Sequence, residues 1–198
     1  LDSRRRPGWW QGATVRREGP GVAVGAYGRL GGKELGYAPA LDIIFLCDDA
    51  GGRAPDVYAS FARKLITWLP SHTAAGMLFD VDTRLRRNGA AGLMVTHFES
   101  FRRYQMREGD NAAWVWEHQA LTRARFCAGD AEIGERFEAL RTAVLRQARQ
   151  PGPLRDEIVA MRERVAEGHA NPTGLFDLKH DRGGMVDIEF TVQFLVLL

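Results

Sequence analysis

Lysine and cysteine are scarce in this chain of 198 residues: 24 of the 27 basic residues are arginine, and the cysteines are Cys47 and Cys127 alone. Neither cysteine has a CxxC neighbour or a nearby histidine pattern. That excludes zinc-finger and redox-pair readings and leaves two buried, reduced thiols in apolar surroundings as the expectation. No apolar run reaches the ~20 residues that cross a bilayer, and the N-terminus has no apolar stretch resembling a signal peptide. A cytoplasmic location without a membrane partner follows. A strong excess of one charge sign is also missing. The formal net charge is +2, of which residues 1–20 contribute +3 and the remainder −1. The basicity belongs to the lead-in and gives no ground for a nucleic-acid partner. The P-loop spacing GxxxxGK[ST] is absent as well, since GGKEL (31–35) does not fit it.

What is present is an ordinary globular texture, 45% hydrophobic, in a length suited to one domain or to a small domain and part of a second. Residues 1–20 lack helix or strand periodicity and are rich in Arg, Gly and Pro, so they read as a flexible lead-in, whose Trp9 and Trp10 could dock elsewhere. VAVGAY (22–27) reads as a buried strand, GRLGGKELGY (28–37) as a Gly-rich turn, and LDIIFLCD (41–48) as a central strand. A loop with Gly51, Gly52 and Pro55 precedes a helix over 56–69, whose Val57, Phe61, Leu65 and Trp68 fall at helical spacing and which Pro70 stops. GMLFDVDTRLR (76–86) alternates as a strand, with Leu78, Asp80, Asp82, Arg84 and Arg86 on one face. After a turn at 87–92, GLMVTHF (92–98) reads as the next strand.

The rest reads as helix, over 97–108, 112–125, 130–147 and 154–167, with FDLK (176–179) as a short strand and 183–198 as a last helix. Asp130 is placed to cap the third, whose stripe is Ile133, Phe137, Leu140 and Val144. The last helix is apolar on more than one face and stops mid-pattern, so the chain reads as truncated there. The fold class is α+β: a lead-in over 1–20, a mixed αβ domain over 21–127, and the start of a helical domain over 128–198.

One constellation carries chemistry. Gly31 and Gly32 follow a strand, Asp42 opens the next, and Asp82 lies on a third beside Asp80, Arg84 and Arg86. Glycines let backbone N–H groups approach a polyphosphate, and carboxylates on neighbouring strands supply the hard oxygens that Mg²⁺ requires. The same residues also read as a plain turn and as strand-end caps. Arg84 and Arg86 read either as phosphate ligands or as partners of Asp80 and Asp82. His118, beside Glu117 and between Trp114 and Trp116, reads as a packed or hydrogen-bonded histidine in an aromatic core.

Four blocks sharpen this. AYGRLGGKELGYAPALDIIF (26–45), FDVDTRLRRNGAAGLMV (79–95), AWVWEHQALTRARFCAGD (113–130) and FDLKHDRGGMVDIEFTVQFLVL (176–197) resemble, in this order, the signature blocks of the glutamine synthetase adenylyltransferase family. The resemblance runs from about residue 22 to the C-terminus, leaving the lead-in unmatched. WEHQAL (116–121) and GGMVDIEF (183–190) look like the half of that family that adds AMP, not the half that removes it.

The resemblance implies a polymerase-β-like nucleotidyltransferase fold and transfer of AMP from ATP, with two Mg²⁺ ions, to a tyrosine of glutamine synthetase. A PII-type regulatory protein is a further implied partner. By the same carry-over Asp42 and Asp82 are catalytic metal ligands, while Gly31 and Gly32 bind the phosphates; Arg84, from its place on the polar strand face, is the further phosphate-binding candidate. Asp187 and Glu189 organise the helical segment against the site. The first member of the family's D-x-D pair is missing, because Pro39-Ala40-Leu41-Asp42 stands where the family reads S-D-L-D. Losing one metal ligand costs several kcal/mol of transition-state stabilisation, on the order of a thousandfold in rate. Arg87-Asn88 is a second departure. The implied alternative is a non-catalytic module that recognises glutamine synthetase or a PII-type regulator.

Overall fold

The computed structural model describes residues 21–36, 40–48, 54–74, 76–77, 79–85 and 92–198. The lead-in over 1–20, Pro39, Asp49, the glycines of the loop at 51–52, Leu78, Arg86 and the turn over 87–91 lie outside these residues.

Five strands form one mixed sheet. β1 (Gly21–Ala26) runs antiparallel to β2 (Ala40–Asp48), and β5 (Arg125–Gly129) runs antiparallel to β1 on the sheet's outer edge. β3 (Asp80–Asp82) and β4 (Val95–His97) both lie parallel to β2, the first against residues 40–42 and the second against 45–47. With helices on both faces the fold is α+β.

β2 is apolar almost throughout because both of its faces are covered. Its even-numbered Ile44 and Leu46 join Ala23, Tyr27, Phe101 and Phe137 in one cluster; its odd-numbered Leu41, Ile43, Phe45 and Cys47 join Ala62 and Val95 in another. α2 (Ala54–Trp68) covers the odd face, and α3 (Phe98–Gln105) and α5 (Ala131–Leu145) cover the even one. Phe137 of α5 stacks on Phe101 at 6.1 Å and meets Tyr27 edge-on at 6.4 Å. The four-residue stripe expected on α5 is wholly buried, and Asp130 caps the helix by accepting from the N–H groups of Glu132 and Ile133. α4 (Val115–Leu121), α6 (Pro151–Gly168) and α7 (Met185–Leu197) meet through Val115, Leu154, Ile158 and Leu197.

Several sequence expectations change. On α2 the face turned to the sheet is Tyr58, Ala59, Ala62, Leu65 and Ile66, while Val57 and Trp68 are exposed. The fully buried Ala62 lets the helix lie close to the sheet, which a stripe of large side chains would prevent. The helix expected over 112–125 ends at Leu121 and is followed by β5. The boundary expected at 127/128 falls inside that strand, and α5 packs on the sheet. FDLK (176–179) forms no strand; the Asp177 carboxylate accepts from the N–H groups of Lys179 and His180 and closes a turn. Cys47 is buried but Cys127 is exposed. The ladder between β1 and β5 pairs Val24 with Ala128 and Gly25 with Phe126, so Cys127 is the unpaired residue of a β-bulge. Trp114 is exposed too, and the aromatic core expected around it does not include it. No helix among the described residues is long and apolar enough to cross a membrane.

His118 is buried without any exposure, with Nε2 3.0 Å from the Gln105 carbonyl oxygen and Nδ1 3.2 Å from Arg149 Nη2. Only the neutral tautomer satisfies both: Nε2–H donates to the carbonyl and Nδ1 accepts from the guanidinium. Burial first, then the charges of Arg107 and Arg149, push its pKa down to about 4. An unfolded histidine protonates near 6.5, so the stabilisation is complete above that pH and is lost as pH falls through the folded value. Unfolding free energy is expected to drop by about 3 kcal/mol between pH 6.5 and 4 on this account. In His118→Gln that part of the pH slope disappears; parallel losses in parent and variant, followed by urea unfolding, would refute the assignment.

Candidate functional site

The sheet brings two of the expected residues together. Asp42 and Asp82 are register partners on β2 and β3, with Ala40 opposite Asp80 one period earlier. Parallel neighbours run ~4.8 Å apart and side chains alternate, so positions 40, 42, 80 and 82 share one face of the sheet edge. Gly28 closes over Asp42. It adopts φ 51°, and a Cβ on it would stand 2.2 Å from Asp42 Oδ2, so no side chain fits there. Burial first, then the negative charge of Asp82, push the Asp42 carboxyl above the usual carboxylate range, while Arg84 and Arg123 pull it back.

Arg84 takes the pairing role of its two sequence readings. Its Nε donates to Asp82 Oδ1 and Oδ2 at 3.1 and 2.8 Å. The Arg84 side chain is 81% exposed, so water screens this pair and its guanidinium is free to exchange partners. Asp80 is exposed and accepts from the N–H of Val81. Asp48, six residues beyond Asp42 on β2, is paired with Arg136 and lies 3.5 Å from His97.

Among the described residues no group of three or more His, Cys, Asp or Glu side chains gathers as a metal site. Asp42 and Asp82 are a two-carboxylate set, buried enough to repel each other and made of hard oxygens. That fits Mg²⁺, which commonly takes one or two carboxylates and completes its octahedron with phosphates and water. Ala40 adds no oxygen to the set.

The glycine turn is more ordered than its composition suggests. Residues 28–31 form the short helix α1 (Gly28–Gly31). The Gly31 N–H donates to the Tyr27 carbonyl at 2.8 Å and the Gly32 N–H to the Gly28 carbonyl at 3.0 Å, so both donors expected to meet phosphate are already engaged. Gly31 is enclosed by backbone: a Cβ there would lie 1.8 Å from the Arg123 carbonyl oxygen and 2.8 Å from that of Ala26. Gly32 faces side chains instead, with Glu34 Oε1 at 2.9 Å and Arg123 Nε at 3.3 Å from its Cβ position.

Two arginines that the sequence reading passed over secure this turn. Arg125 donates from Nε and Nη2 to the carbonyls of Gly31 and Leu30, each at 3.1 Å. Arg123 donates from Nη2 to Glu34 at 2.6 Å and from Nη1 to Glu189 of α7 at 2.8 Å. The signal was TRAR (122–125), legible only once β5 is recognised as a strand. Glu189 thus ties α7 to the turn, while Asp187 holds the Gly183 N–H and Arg162 of α6. His118, shut away from solvent, has no access to the carboxylate pair.

The model of one family, described as glutamate-ammonia ligase adenylyltransferase, matches residues 9–140. The chain is 81% identical over all 198 residues to a bifunctional glutamine synthetase adenylyltransferase/adenylyl-removing enzyme of Ralstonia nicotianae, covering 21% of that protein. It is 64% identical over 192 residues to the enzyme of that description in Burkholderia mallei and 53% over 189 residues to that of Nitrosomonas europaea, covering 96% and 95% of the chain and 21% and 20% of those proteins. The chain therefore spans about a fifth of the length of these relatives. The alignment to the Ralstonia protein takes in residues 1–20, which the sequence reading had left unmatched.

Proposed function

Since the chain belongs to the glutamate-ammonia ligase adenylyltransferase family, we propose that it is a nucleotidyl-transferring segment that moves AMP from ATP to a tyrosine hydroxyl of glutamine synthetase. The observation that carries this reading is the Asp42–Asp82 pair at the sheet edge, closed over by Gly28. On this reading the α+β sheet serves as a polymerase-β-like nucleotidyltransferase core. WEHQAL (116–121) and GGMVDIEF (183–190) favour the adding half over the removing half. This reading places the reaction in the cytoplasm.

Asp42 and Asp82 would hold Mg²⁺, which when bound neutralises charge on the triphosphate and the leaving pyrophosphate. Arg84 holds Asp82 in place from its exposed side and exchanges toward phosphate when nucleotide enters. Ala40 leaves the set one carboxylate short, so transfer is slow. That shortfall favours a second reading, in which the segment recognises glutamine synthetase or a PII-type regulator and transfers nothing.

Asp42 gives the test. Its raised pKa means that the folded state prefers the protonated acid: the stabilisation is full below the ordinary carboxylate pKa and is lost as pH rises through the raised value. At neutral pH the ionised group opposes folding. Asp42→Asn is therefore expected to melt higher than the parent in EDTA and to transfer no AMP. With labelled ATP, Mg²⁺ and glutamine synthetase, slow tyrosine labelling by the parent and none by Asp42→Asn or Asp82→Asn supports catalysis. Labelling indifferent to both substitutions would sink it. Co-sedimentation with glutamine synthetase without labelling marks the binding module.

A further inference from the structure

The Gly31 and Gly32 N–H groups are engaged within the turn, so donors for a nucleotide's phosphates must come from elsewhere. Arg123, beside Gly32, is such a donor. Its side chain is 21% exposed, and its Nε is sealed from solvent without a hydrogen-bond partner among the described residues. That Nε lies 3.3 Å from the position a Cβ would take on Gly32. Arg123 also acts on Asp42 through its charge.

The two carboxylates that share this guanidinium differ. Glu189 belongs to α7 and is 41% exposed; Glu34 lies just past the turn and is 59% exposed. Glu34 is the more readily displaced by a competing anion. A guanidinium presents its donors as a planar fork that matches phosphate as well as carboxylate, and charge-assisted bonds to phosphate are among the stronger polar contacts.

We infer that Arg123 is a polyphosphate-binding residue: Glu189 anchors it beside the glycine turn, and Glu34 occupies the end of its guanidinium that the phosphates of a nucleotide take. The inference rests on the nucleotidyl-transfer reading. Glu34 is then a built-in competitor, a carboxylate that keeps the arginine aimed when no nucleotide is bound. The wall of α7, through Glu189, becomes part of the nucleotide site, so a disturbance of that helix reaches the phosphates through one side chain.

The test is titration calorimetry with inorganic tripolyphosphate in EDTA, on the full chain, with melting curves confirming that each variant is folded. Glu34→Gln is expected to tighten binding about threefold and Arg123→Met to weaken it about tenfold, the latter corresponding to one charge-assisted contact. In the double variant the gain from Glu34→Gln disappears. A gain of equal size with and without Arg123 reflects general charge and overturns the inference, as does an unchanged affinity in Glu34→Gln, whose exposed side chain leaves the fold intact. AMP transfer to glutamine synthetase is measured in parallel. The expected affinities with no transfer by the parent or by an Ala40→Asp variant sink the transferase reading and leave the arginine assignment standing; transfer with affinities blind to Glu34 does the reverse.

Discussion

Ala40→Asp should raise the rate of AMP transfer to glutamine synthetase by about a thousandfold, the equivalent of roughly 4 kcal/mol of transition-state stabilisation. The register makes this more than an appeal to the family pattern. Position 40 lies one strand period from Asp42 on the same face and opposite Asp80, so a carboxylate there joins the pair without any change of backbone. The same placement has a cost when no cation is bound. A new negative charge opposite Asp80 and beside the already crowded Asp42 should lower stability by about 1 kcal/mol, or 2–4 °C in melting temperature for a chain of this size. Mg²⁺ should reverse that loss in the variant and raise the parent's melting temperature by less, since the parent holds the ion with one carboxylate fewer. The paired signature separates a restored metal site from a general change in folding. A variant that melts like the parent with and without Mg²⁺ and transfers no faster would show that position 40 is not where the missing ligand belongs.

Gly31→Ala should be the most damaging single methyl in the described part of the chain's site. The added Cβ would overlap the carbonyl oxygens of Arg123 and Ala26, at 1.8 and 2.8 Å, and both belong to backbone that cannot swing aside as a side chain does. Relief requires α1 to move off the start of β5, which breaks the hydrogen bonds from Arg125 to the Leu30 and Gly31 carbonyls. A loss of about 3 kcal/mol is expected, lowering the melting temperature by roughly 6–12 °C. Gly32→Ala is the control. Its backbone is right-handed helical, with φ −72°, and the tightest neighbour is the far end of Glu34. It should cost less than about 1 kcal/mol. Equal losses at both positions, measured by thermal melting, would mean that the glycines serve the turn alike and that the close approach to Arg123 does not decide the identity of residue 31.

The legible parts of the sequence were those where one rule operated alone. The apolar run 41–48 could only be a strand covered on both faces, and the α5 stripe fitted a helix with its cap. The carboxylate pair was readable because alternation is strict over Asp80 and Asp82 and because Asp42 stands near the start of β2. The failures have separate causes. On α2 the buried face is centred on Ala62, so of the large apolar residues counted at helical spacing only Leu65 faces the sheet, while Val57, Phe61 and Trp68 are exposed. The glycines at 31 and 32 fit a phosphate cradle and a plain turn alike in sequence, and the close approach of Gly31 to Arg123, ninety-two positions later, leaves no trace in local spacing. The helix expected over 112–125 runs one residue into β5, and 126–129 carry no expected element, because the alternation of that strand is broken by one extra residue. With that strand unseen, Arg123 and Arg125 had no reason to be grouped with the turn.

The same bulge leaves the molecule with a convenient chemical asymmetry. Cys47 is sealed between the sheet and α2, whereas Cys127 sits exposed on an outer strand with no ladder partner. A maleimide dye or spin label will thus attach at a single native position, four residues from Arg123, with no thiol to remove and none to introduce. Its signal during nucleotide titration would report on the strand that carries Arg125, and through it on whether the glycine turn shifts when phosphates arrive.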